Sequence, residues 1–222
     1  MSSYDVVIPA YMSAPFIGAT IESILRQTVP PKRIIVVDDG SPDDMSEVVA
    51  RISGPILYLR QDNTGPGGAT SAGIGLAESD YVATLDADDL WLPTKAELQL
   101  SRLDDEPELS AVFGHIAEFR GKPTNALLET AYEGWTRATM MMRTDVARGA
   151  LPIFDPPEKL GDLIDWLAIL REAGHRMIMM HDVLALRRLH AGSLTARARS
   201  ELSKSYIAVA RRSLLRRRER ES

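Results

Sequence analysis

Short apolar runs alternate with helical patterns through the first part of the chain. The runs lie at residues 6–8, 34–37, 56–59 and 81–85, and the helical patterns lie at residues 17–27, 41–52 and 69–77. Runs of this length favour buried strands, and apolar residues spaced three and four apart favour helices packed on a sheet. The alternation predicts parallel strands joined by right-handed helical crossovers, which is an α/β fold.

Local signals set some of the predicted boundaries. Pro9 is expected to end the first strand. Ser41 is a candidate N-cap, with Pro42 at the first helical position of the second helix. Residues 65–68 read Gly-Pro-Gly-Gly and are predicted to form a turn before the third helix.

A looser pattern follows Pro93. It predicts a helix at residues 94–103, a strand at 109–119, a polar segment at 122–133, a helix at 161–173, a strand at 177–180 and an extended piece at 182–189. There is no internal repeat and no low-complexity linker. We therefore predict one domain over residues 1–195, with halves at 1–92 and 93–195, followed by a helical tail at 196–222.

Composition limits the classes of protein to consider. At 45% hydrophobic and 26% charged residues, the chain is expected to be globular. It has no cysteine, so a bound metal would need oxygen or imidazole ligands. No basic-then-apolar signal follows Met1, and no apolar run approaches the about 20 residues that span a bilayer. The cytoplasm is the expected compartment.

The net charge of -5 conceals a basic tail, which from Ala196 onward has nine arginines and lysines against three glutamates. The rest of the chain is strongly acidic, which disfavours nucleic acid as a partner. The tail could make a peripheral contact with an anionic membrane. Alternatively, the tail is a helix with Leu202, Tyr206 and Val209 on one side that packs Leu202 and Tyr206 on the domain and leaves its arginines in water, which is the preferred interpretation.

Carboxylates follow two of the predicted strands. Asp38 and Asp39 end the second strand, and the run Asp86-Ala87-Asp88-Asp89 ends the fourth. Ligands of open α/β sheets lie beyond the carboxyl ends of the strands. Carboxylates at one edge repel each other unless a cation neutralises them. A Mg²⁺ or Mn²⁺ ion that bridges the phosphates of a bound nucleotide would do so.

Four ordered segments resemble family 2 glycosyltransferases of the GT-A fold. They read Val-Ile-Pro-Ala-Tyr at 7–11, Asp-Asp-Gly-Ser at 38–41, Asn-Thr-Gly-Pro-Gly at 63–67 and Leu-Asp-Ala-Asp-Asp at 85–89. The resemblance implies a Rossmann-like, mostly parallel sheet flanked by helices, with a C-terminal helical extension. It also implies an inverting enzyme that moves a sugar from a nucleoside diphosphate, UDP above all, to an acceptor hydroxyl. The first half would bind the nucleotide sugar and the second half the acceptor.

The resemblance also implies the residues that hold the donor and a divalent cation. Asp39 would accept a hydrogen bond from the base, Asp86 would hold the ribose or a metal-bound water, and Asp88 would ligate the metal. The whole donor-binding set is Pro9, Ala10, Tyr11, Asp39, Gly65, Asp86, Ala87 and Asp88. The metal set is Asp88, Asp86 and His190, because residues 187–190 resemble the family's tyrosine-arginine-x-histidine segment.

The general base is assigned to the start of the helix at 161–173. Asp162 takes the position of the family's catalytic carboxylate, where it would accept the proton of the acceptor hydroxyl. Asp165, one turn further on, is the rival. Gly161 stands where family members usually have glutamate.

A second departure concerns an arginine. Family members commonly have alanine-arginine-asparagine after the Gly-Pro turn, where this chain has Ala69-Thr70-Ser71. Thr70 and Gly161 keep open an alternative function, a weak or inactive protein that only binds nucleotide sugars. A dinucleotide-binding dehydrogenase is disfavoured, because no G-x-G-x-x-G follows the first strand. The sequence leaves the acceptor open as a saccharide, a lipid-linked sugar or a peptide.

Overall fold

Four parallel strands build the first part of the sheet. A computed structural model describes residues 2–154, 161–191 and 202–221. The four strands are β1 (Tyr4–Ala10), β2 (Arg33–Asp38), β3 (Ile56–Arg60) and β4 (Tyr81–Thr84). The helices between them are α1 (Ala14–Leu25), α2 (Met45–Ala50) and α3 (Gly65–Leu76). The strand order is β3-β2-β1-β4, as expected for helical crossovers.

The second part of the chain extends this sheet with mixed pairing. Its strands are β5 (Leu90–Trp91), β6 (Leu109–Phe119), β7 (Tyr132–Gly134), β8 (Met141–Arg143) and β9 (Arg176–Arg188). Its helices are α4 (Lys95–Asp105), α5 (Thr144–Gly149), α6 (Asp162–Glu172) and α7 (Leu202–Glu221), with 3-10 helices at Asn125–Thr130 and Arg137–Thr139. In the described ranges the order continues β4-β8-β6-β9-β5, and β7 pairs with β6.

The predicted fold class is confirmed, and antiparallel pairs enter only beyond β4. There β8 runs antiparallel to both β4 and β6, whereas β9 runs parallel to β6. Strand β5 pairs with β9 although it precedes residue 92. The division of the domain at that residue stays a prediction.

Pro9 does not end β1, contrary to the sequence prediction. It lies inside the strand, opposite Val37 of β2. The carbonyl of Val7 accepts a hydrogen bond from the amide of Leu85, so Pro9, two residues further on, also directs its backbone toward β4. Pairing with β4 has already ended opposite Val7, and the missing N–H of proline therefore costs no ladder hydrogen bond.

Three other predicted boundaries are corrected. Helix α2 begins at Met45, and Ser41 does not cap it. Instead the Ser41 hydroxyl accepts a hydrogen bond from the Met12 amide (3.0 Å), which joins the loop after β2 to the loop after β1. Residues 65–68, predicted as a turn, form the first turn of α3. Residues 176–188 form one continuous strand and not two pieces.

Alternate residues of the parallel strands supply two apolar layers, one on each face of the sheet. Ile8 and Val36 pack in the layer with α1, α2 and α4, and Val7 and Val37 pack in the layer with α3 and α6. Helix α3 comes very near the sheet at Gly73. A Cβ at this position would overlap Cγ1 of Val7 and would lie 3.2 Å from Cγ2 of Val37. The sheet thus fixes the helix that starts beside the candidate site.

The predicted C-terminal helix is present as α7 and packs against α6. Val209, on the predicted apolar side of the helix, is buried. The expectation that the arginines of the tail lie in water is wrong for Arg212 and Arg216, which pair with carboxylates of α6. The other two residues of that interpretation, Leu202 and Tyr206, have side chains outside the described part of the chain. Among the helices that the structure describes, none is both long and apolar enough to cross a bilayer. The compartment stays a prediction.

Candidate active site

The carboxyl ends of β1, β2 and β4 bring the sequence-predicted donor residues to one edge of the sheet. Pro9 and Ala10 are buried at the end of β1, and Tyr11 follows with 49% of its surface exposed. Asp39 follows β2, and Asp86 comes two residues after β4. This edge is where open α/β sheets bind ligands.

Asp39 joins the end of β2 to the start of α3. Its Oδ1 accepts hydrogen bonds from Gln61 Nε2 (2.8 Å) and the Thr64 amide (2.9 Å), and its Oδ2 accepts one from the Gly65 amide (2.8 Å). The negative charge also suits the N-terminus of a helix. Asp39 therefore has a structural task in addition to the base contact predicted for it, and it places Gly65 beside the site.

The acidic run at residues 86–89 forms a corner of the site, and the end of β9 with the residues just after it packs against this corner. Oδ2 of Asp88 lies 2.8 Å from Nε2 of His190, two residues that the sequence separates by 102 positions. The carbonyl of Ala87 accepts a hydrogen bond from the Thr20 hydroxyl of α1 (2.9 Å). Two of the three predicted metal ligands are thus in direct contact, and the backbone between them and Asp86 is held by α1.

Asp86 lies in this corner partly exposed, without a hydrogen bond to its carboxylate from the described residues. Burial raises the pKa of its carboxyl, and the charge of Asp88 raises it further, whereas Arg137 and Arg187 act in the opposite direction. The Asp86 carboxylate therefore has no hydrogen-bond donor among the described residues and lies close to other negative charges. Such a group is suited to a hydroxyl, a water or a cation supplied by a ligand.

Asp89 supports the corner from beneath. It is buried, and its Oδ1 accepts a hydrogen bond from the Arg188 amide (2.9 Å). In turn, Nε of Arg188 donates to the carbonyl of Asp88 (2.9 Å), and its guanidinium lies over the ring of Phe119. Arg188 is therefore committed to the fold of the corner. Burial raises the pKa of Asp89 well above its ordinary value, and the charges of Asp88 and Asp86 add to this.

Asp162 lies on the other side of the site, at the start of α6. It is buried, and its Oδ2 forms an ion pair with Nη2 of Arg137. Nε of the same arginine donates to the Thr70 hydroxyl of α3 (3.0 Å), which itself donates to the Pro66 carbonyl (2.6 Å). Arg137 therefore joins the predicted base to the position where the family's arginine is missing.

The carboxylate of Asp165, the alternative general base, pairs with the C-terminal helix. Oδ2 of Asp165 accepts a hydrogen bond from Nε of Arg212 (2.6 Å), and its Oδ1 pairs with Nη1 of Arg216 (3.0 Å). Both arginines belong to α7. Asp165 holds the C-terminal helix on α6, whereas the charge of Asp162 influences Asp86 across the site.

Arg137 is a site residue that the sequence analysis missed. It follows a polar segment without periodicity and lies in a 3-10 helix, and so no local pattern marks it. Arg187 is the second cation near Asp86, and it stands where the family's tyrosine-arginine-x-histidine segment has tyrosine. A useful signal would have been the missing arginine at Thr70, because an acidic site needs a cation from somewhere else.

The described residues offer a partial metal shell. Over residues 2–154, 161–191 and 202–221, no three acidic or histidine side chains converge closely enough to hold a metal ion by themselves. Asp88 and His190 could give two ligands, one carboxylate oxygen and one imidazole nitrogen. A cation here would need further oxygens from a diphosphate and from water, which is common for Mg²⁺.

Comparison with known proteins decides the family. The sequence model described as glycosyl transferase family 2 matches residues 5–184, which contain every predicted site residue except His190. The chain belongs to glycosyl transferase family 2. The predictions of the family, of its GT-A fold and of an enzyme class are therefore confirmed.

Relatives of this family 2 glycosyltransferase differ in how much of the chain they match. The E. coli protein named UDP-Glc:alpha-D-GlcNAc-diphosphoundecaprenol beta-1,3-glucosyltransferase WfaP is 29% identical over 216 residues, which is 91% of this chain and 83% of that protein. An uncharacterized glycosyltransferase of Rickettsia felis is 33% identical over 133 residues, or 59% of this chain. The chain spans only 22% of that rickettsial protein.

Solved structures show the same fold. The crystal structure of residues 1–349 of S. aureus TarS in complex with UDP-GlcNAc superposes with a TM-score of 0.73 at 18% identity. The match covers 94% of this chain and 65% of the TarS chain. At this identity the likeness establishes the architecture and leaves substrates to the site residues.

Proposed function

We propose that the chain is a catalytic domain that transfers a sugar from a UDP-sugar to an acceptor hydroxyl with inversion at the anomeric carbon. The observation that carries the proposal is the contact between Asp88 and His190, 2.8 Å apart, at the ligand-binding edge of a family 2 sheet. Two relatives support UDP as the nucleotide, since TarS is solved with UDP-GlcNAc and WfaP is named for UDP-Glc.

Asp88 and His190 fit a Mg²⁺ or Mn²⁺ ion as two of its ligands. Carboxylate oxygen and imidazole nitrogen both suit such ions, and the diphosphate of the donor would complete the shell. When bound, the ion would neutralise negative charge on the diphosphate as the glycosidic bond breaks. Asp86, which lacks a hydrogen-bond partner among the described residues, would hold the ribose or a metal-bound water.

Asp162 would act as the general base. The acceptor oxygen forms its bond to the anomeric carbon, the bond from that carbon to the diphosphate breaks, and the acceptor proton passes to the Asp162 carboxylate. Arg137 would orient Asp162 through the ion pair that it already makes. Because the charge of Arg137 also stabilises ionised Asp86, one guanidinium would serve both the donor side and the acceptor side.

The acceptor is proposed to be a sugar carried on a lipid diphosphate. WfaP, which matches 91% of this chain, is named for a diphosphoundecaprenol acceptor. The second half of the domain, which in this family would bind the acceptor, supplies Arg137 and Asp162 to the site. A free saccharide or a peptide hydroxyl is the alternative that an acceptor screen would detect.

A second candidate function is a nucleotide-sugar-binding protein without catalysis. The observation that favours it is the ion pair of Arg137 with Asp162, because a carboxylate engaged by arginine is less available to a proton. This candidate predicts UDP binding without turnover of any donor.

UDP release from a panel of UDP-sugars, with Mn²⁺ or with a chelator, tests the proposal. Calorimetry with UDP on the same protein reports binding independently. We expect Mn²⁺-stimulated UDP release with at least one UDP-sugar, and a higher rate once an acceptor is present. Binding of UDP without release from any donor would establish the second candidate. Release at the same rate with and without metal would overturn the metal-assisted mechanism.

A further inference from the structure

Most of the described side chains by which α7 meets the domain are polar. Arg212 and Arg216 both pair with Asp165 of α6, and Nε of Arg216 also donates to Oε2 of Glu172 (3.0 Å). The hydroxyl of Ser213 donates to Oε1 of the same glutamate (2.6 Å). Ion pairs and hydrogen bonds thus account for much of this docking, with Val209 as a buried apolar contribution.

The opposite surface of α7 is apolar and basic. Ile207, Leu214 and Leu215 are 69%, 59% and 52% exposed, and Arg211 and Arg218 are exposed beside them. Positions 207, 211, 214 and 218 recur at steps of four and three, which puts them in one stripe along the helix. We name Ile207, Arg211, Leu214, Leu215 and Arg218 the outer face of α7.

Among the side chains of α7 that the structure describes, the polarity is therefore largely the reverse of that of a helix packed on a domain in water. Such a helix normally buries its aliphatic side chains and turns its charges outward. Here the inward arginines Arg212 and Arg216 pair with carboxylates of α6, and the aliphatic side chains of Ile207, Leu214 and Leu215 remain outside while Val209 is buried. An outward surface of this composition is stable when it meets an apolar phase.

The positive charge of the outer face of α7 indicates the kind of surface that it binds. Aliphatic side chains flanked by exposed arginines are the composition of helices that lie in the interface of anionic bilayers. Each basic residue near such a surface adds attraction, and the guanidinium group binds lipid phosphate through two donors. The rest of the protein is strongly acidic, so an anionic surface would repel it in other orientations.

We propose that the outer face of α7 docks on an anionic lipid surface. Ile207, Leu214 and Leu215 enter the boundary between headgroups and acyl chains, while Arg211 and Arg218 bind lipid phosphates. The inward ion pairs with Asp165 and Glu172 hold α7 in place as the lipid contact forms. The proposal rests on the geometry of α7 and does not depend on the transferase activity.

Vesicle flotation with the full chain tests this docking surface. The probes are phosphatidylcholine vesicles with and without phosphatidylglycerol. One variant replaces Ile207, Leu214 and Leu215 by Gln, and another is Arg211→Glu with Arg218→Glu. The control, Arg26→Glu with Arg51→Glu, makes the same change in charge at two exposed arginines of the domain surface.

We expect the unchanged chain and the control to float with the phosphatidylglycerol vesicles, and each α7 variant to bind at least about tenfold more weakly. Circular dichroism and UDP binding should be unchanged in all variants, which separates lost docking from lost folding or lost donor binding. Equal binding by all proteins, or equal binding to pure phosphatidylcholine, would overturn the proposal. Self-association of the unchanged chain, abolished by the Gln variant and without lipid binding, would also overturn it and identify a second copy as the partner.

Discussion

Nε of Arg137 donates a hydrogen bond to the Thr70 hydroxyl across 3.0 Å, while Nη2 of the same side chain pairs with Asp162. Thr70 stands where family members commonly have arginine. A cation is therefore present at this point of the site, but it comes from the 3-10 helix before β8 and not from α3. The arginine that is missing at position 70 thus has a counterpart in Arg137, which reaches Thr70 from another segment of the chain.

This contact predicts that exchanging the two side chains restores activity that each single substitution lowers. Thr70→Arg should place a second buried guanidinium against Arg137, and Arg137→Thr should leave Asp162 without its cation. We expect each single variant to lower kcat/KM by about 10- to 100-fold, and the double variant to recover much of the loss. Steady-state UDP release measures the cycle, with Arg137→Lys as the variant that keeps charge but loses the planar fork. Additive losses would show that the two positions act independently.

Removing the carboxylate of Asp88 should abolish the metal dependence of the reaction. Asp88→Ala deletes the partner of His190 and one ligand of the proposed ion. We expect kcat/KM with Mn²⁺ to fall at least about 100-fold, to the rate seen with chelator. The matched control is Asp62→Ala, which removes an exposed carboxylate from the loop after β3. A normal rate in Asp88→Ala would contradict the assignment.

Substitution of Asp162 and substitution of Asp165 should have very different effects on kcat. Asp162→Asn keeps the shape of the side chain but removes the proton acceptor, and it should lower kcat by about 10²- to 10⁴-fold with little change in UDP affinity. Asp165→Asn should leave kcat near normal, since its carboxylate pairs with Arg212 and Arg216 of α7. The opposite ranking of the two variants would transfer the role of base to Asp165.

Lys95 should make stability depend on pH in the alkaline range. Its ammonium is fully buried, 3.9 Å from the centroid of the Trp91 ring, and burial lowers its pKa well below the ordinary value. The unfolded chain keeps a pKa of about 10.4 and holds the extra proton between the two values. The free energy of unfolding should therefore rise with pH in that interval, by at most about 1.4 kcal/mol per pH unit.

Urea unfolding of Lys95→Met as a function of pH measures this contribution. The variant lacks the titrating group, and so its stability should rise less as the pH increases toward about 10. Lys32→Met, at an exposed position, should keep the pH dependence of the unchanged chain. Parallel curves for Lys95→Met and the unchanged chain would contradict the depressed pKa.

Two glycines of α3 offer a matched test of the packing beneath the site. In Gly73→Ala the new methyl group would overlap Val7, and the free energy of unfolding should fall by about 1–3 kcal/mol. In Gly75→Ala the methyl group has no atom within 4 Å, and stability should rise by up to about 1 kcal/mol through helix propensity. Chemical denaturation of both variants checks the signs. Equal effects would mean that α3 can move away from the sheet.

The parallel half of the fold was predictable because each strand is a short apolar run that alternates with a helical pattern. Asp39, Asp86 and Asp88 could be placed for the same reason, as they follow strands whose carboxyl ends share one edge. That residues 176–188 form one continuous strand was not predictable. The first residues of β9, such as Met177 and Met179, are only partly buried and do not alternate between apolar and polar side chains. Arg137 was missed because its importance arises from contacts with Thr70 and Asp162, which are distant in sequence.

Ser41 shows how a local signal can be overridden. A serine followed by proline is a good helix start, but the hydroxyl is used by the Met12 amide in the neighbouring loop. Met12 has a positive φ of 51°, a conformation that a non-glycine residue adopts only when its surroundings hold it. A tertiary hydrogen bond between two loops thus displaced the start of α2 to Met45.

The late position of β9 in the chain has a consequence for synthesis on the ribosome. Strands β1 to β4 and the acidic run emerge about a hundred residues before Arg188 and His190, which close the corner around Asp88 and Asp89. Domains generally fold as units, and the carboxylates therefore lack these partners until the end of β9 has been synthesised. A nascent chain should thus expose the proposed nucleotide-binding edge before the proposed cation site is complete. Binding of a donor at the proposed site would then be a property of the completed polypeptide, and unfinished chains would not sequester nucleotide sugar.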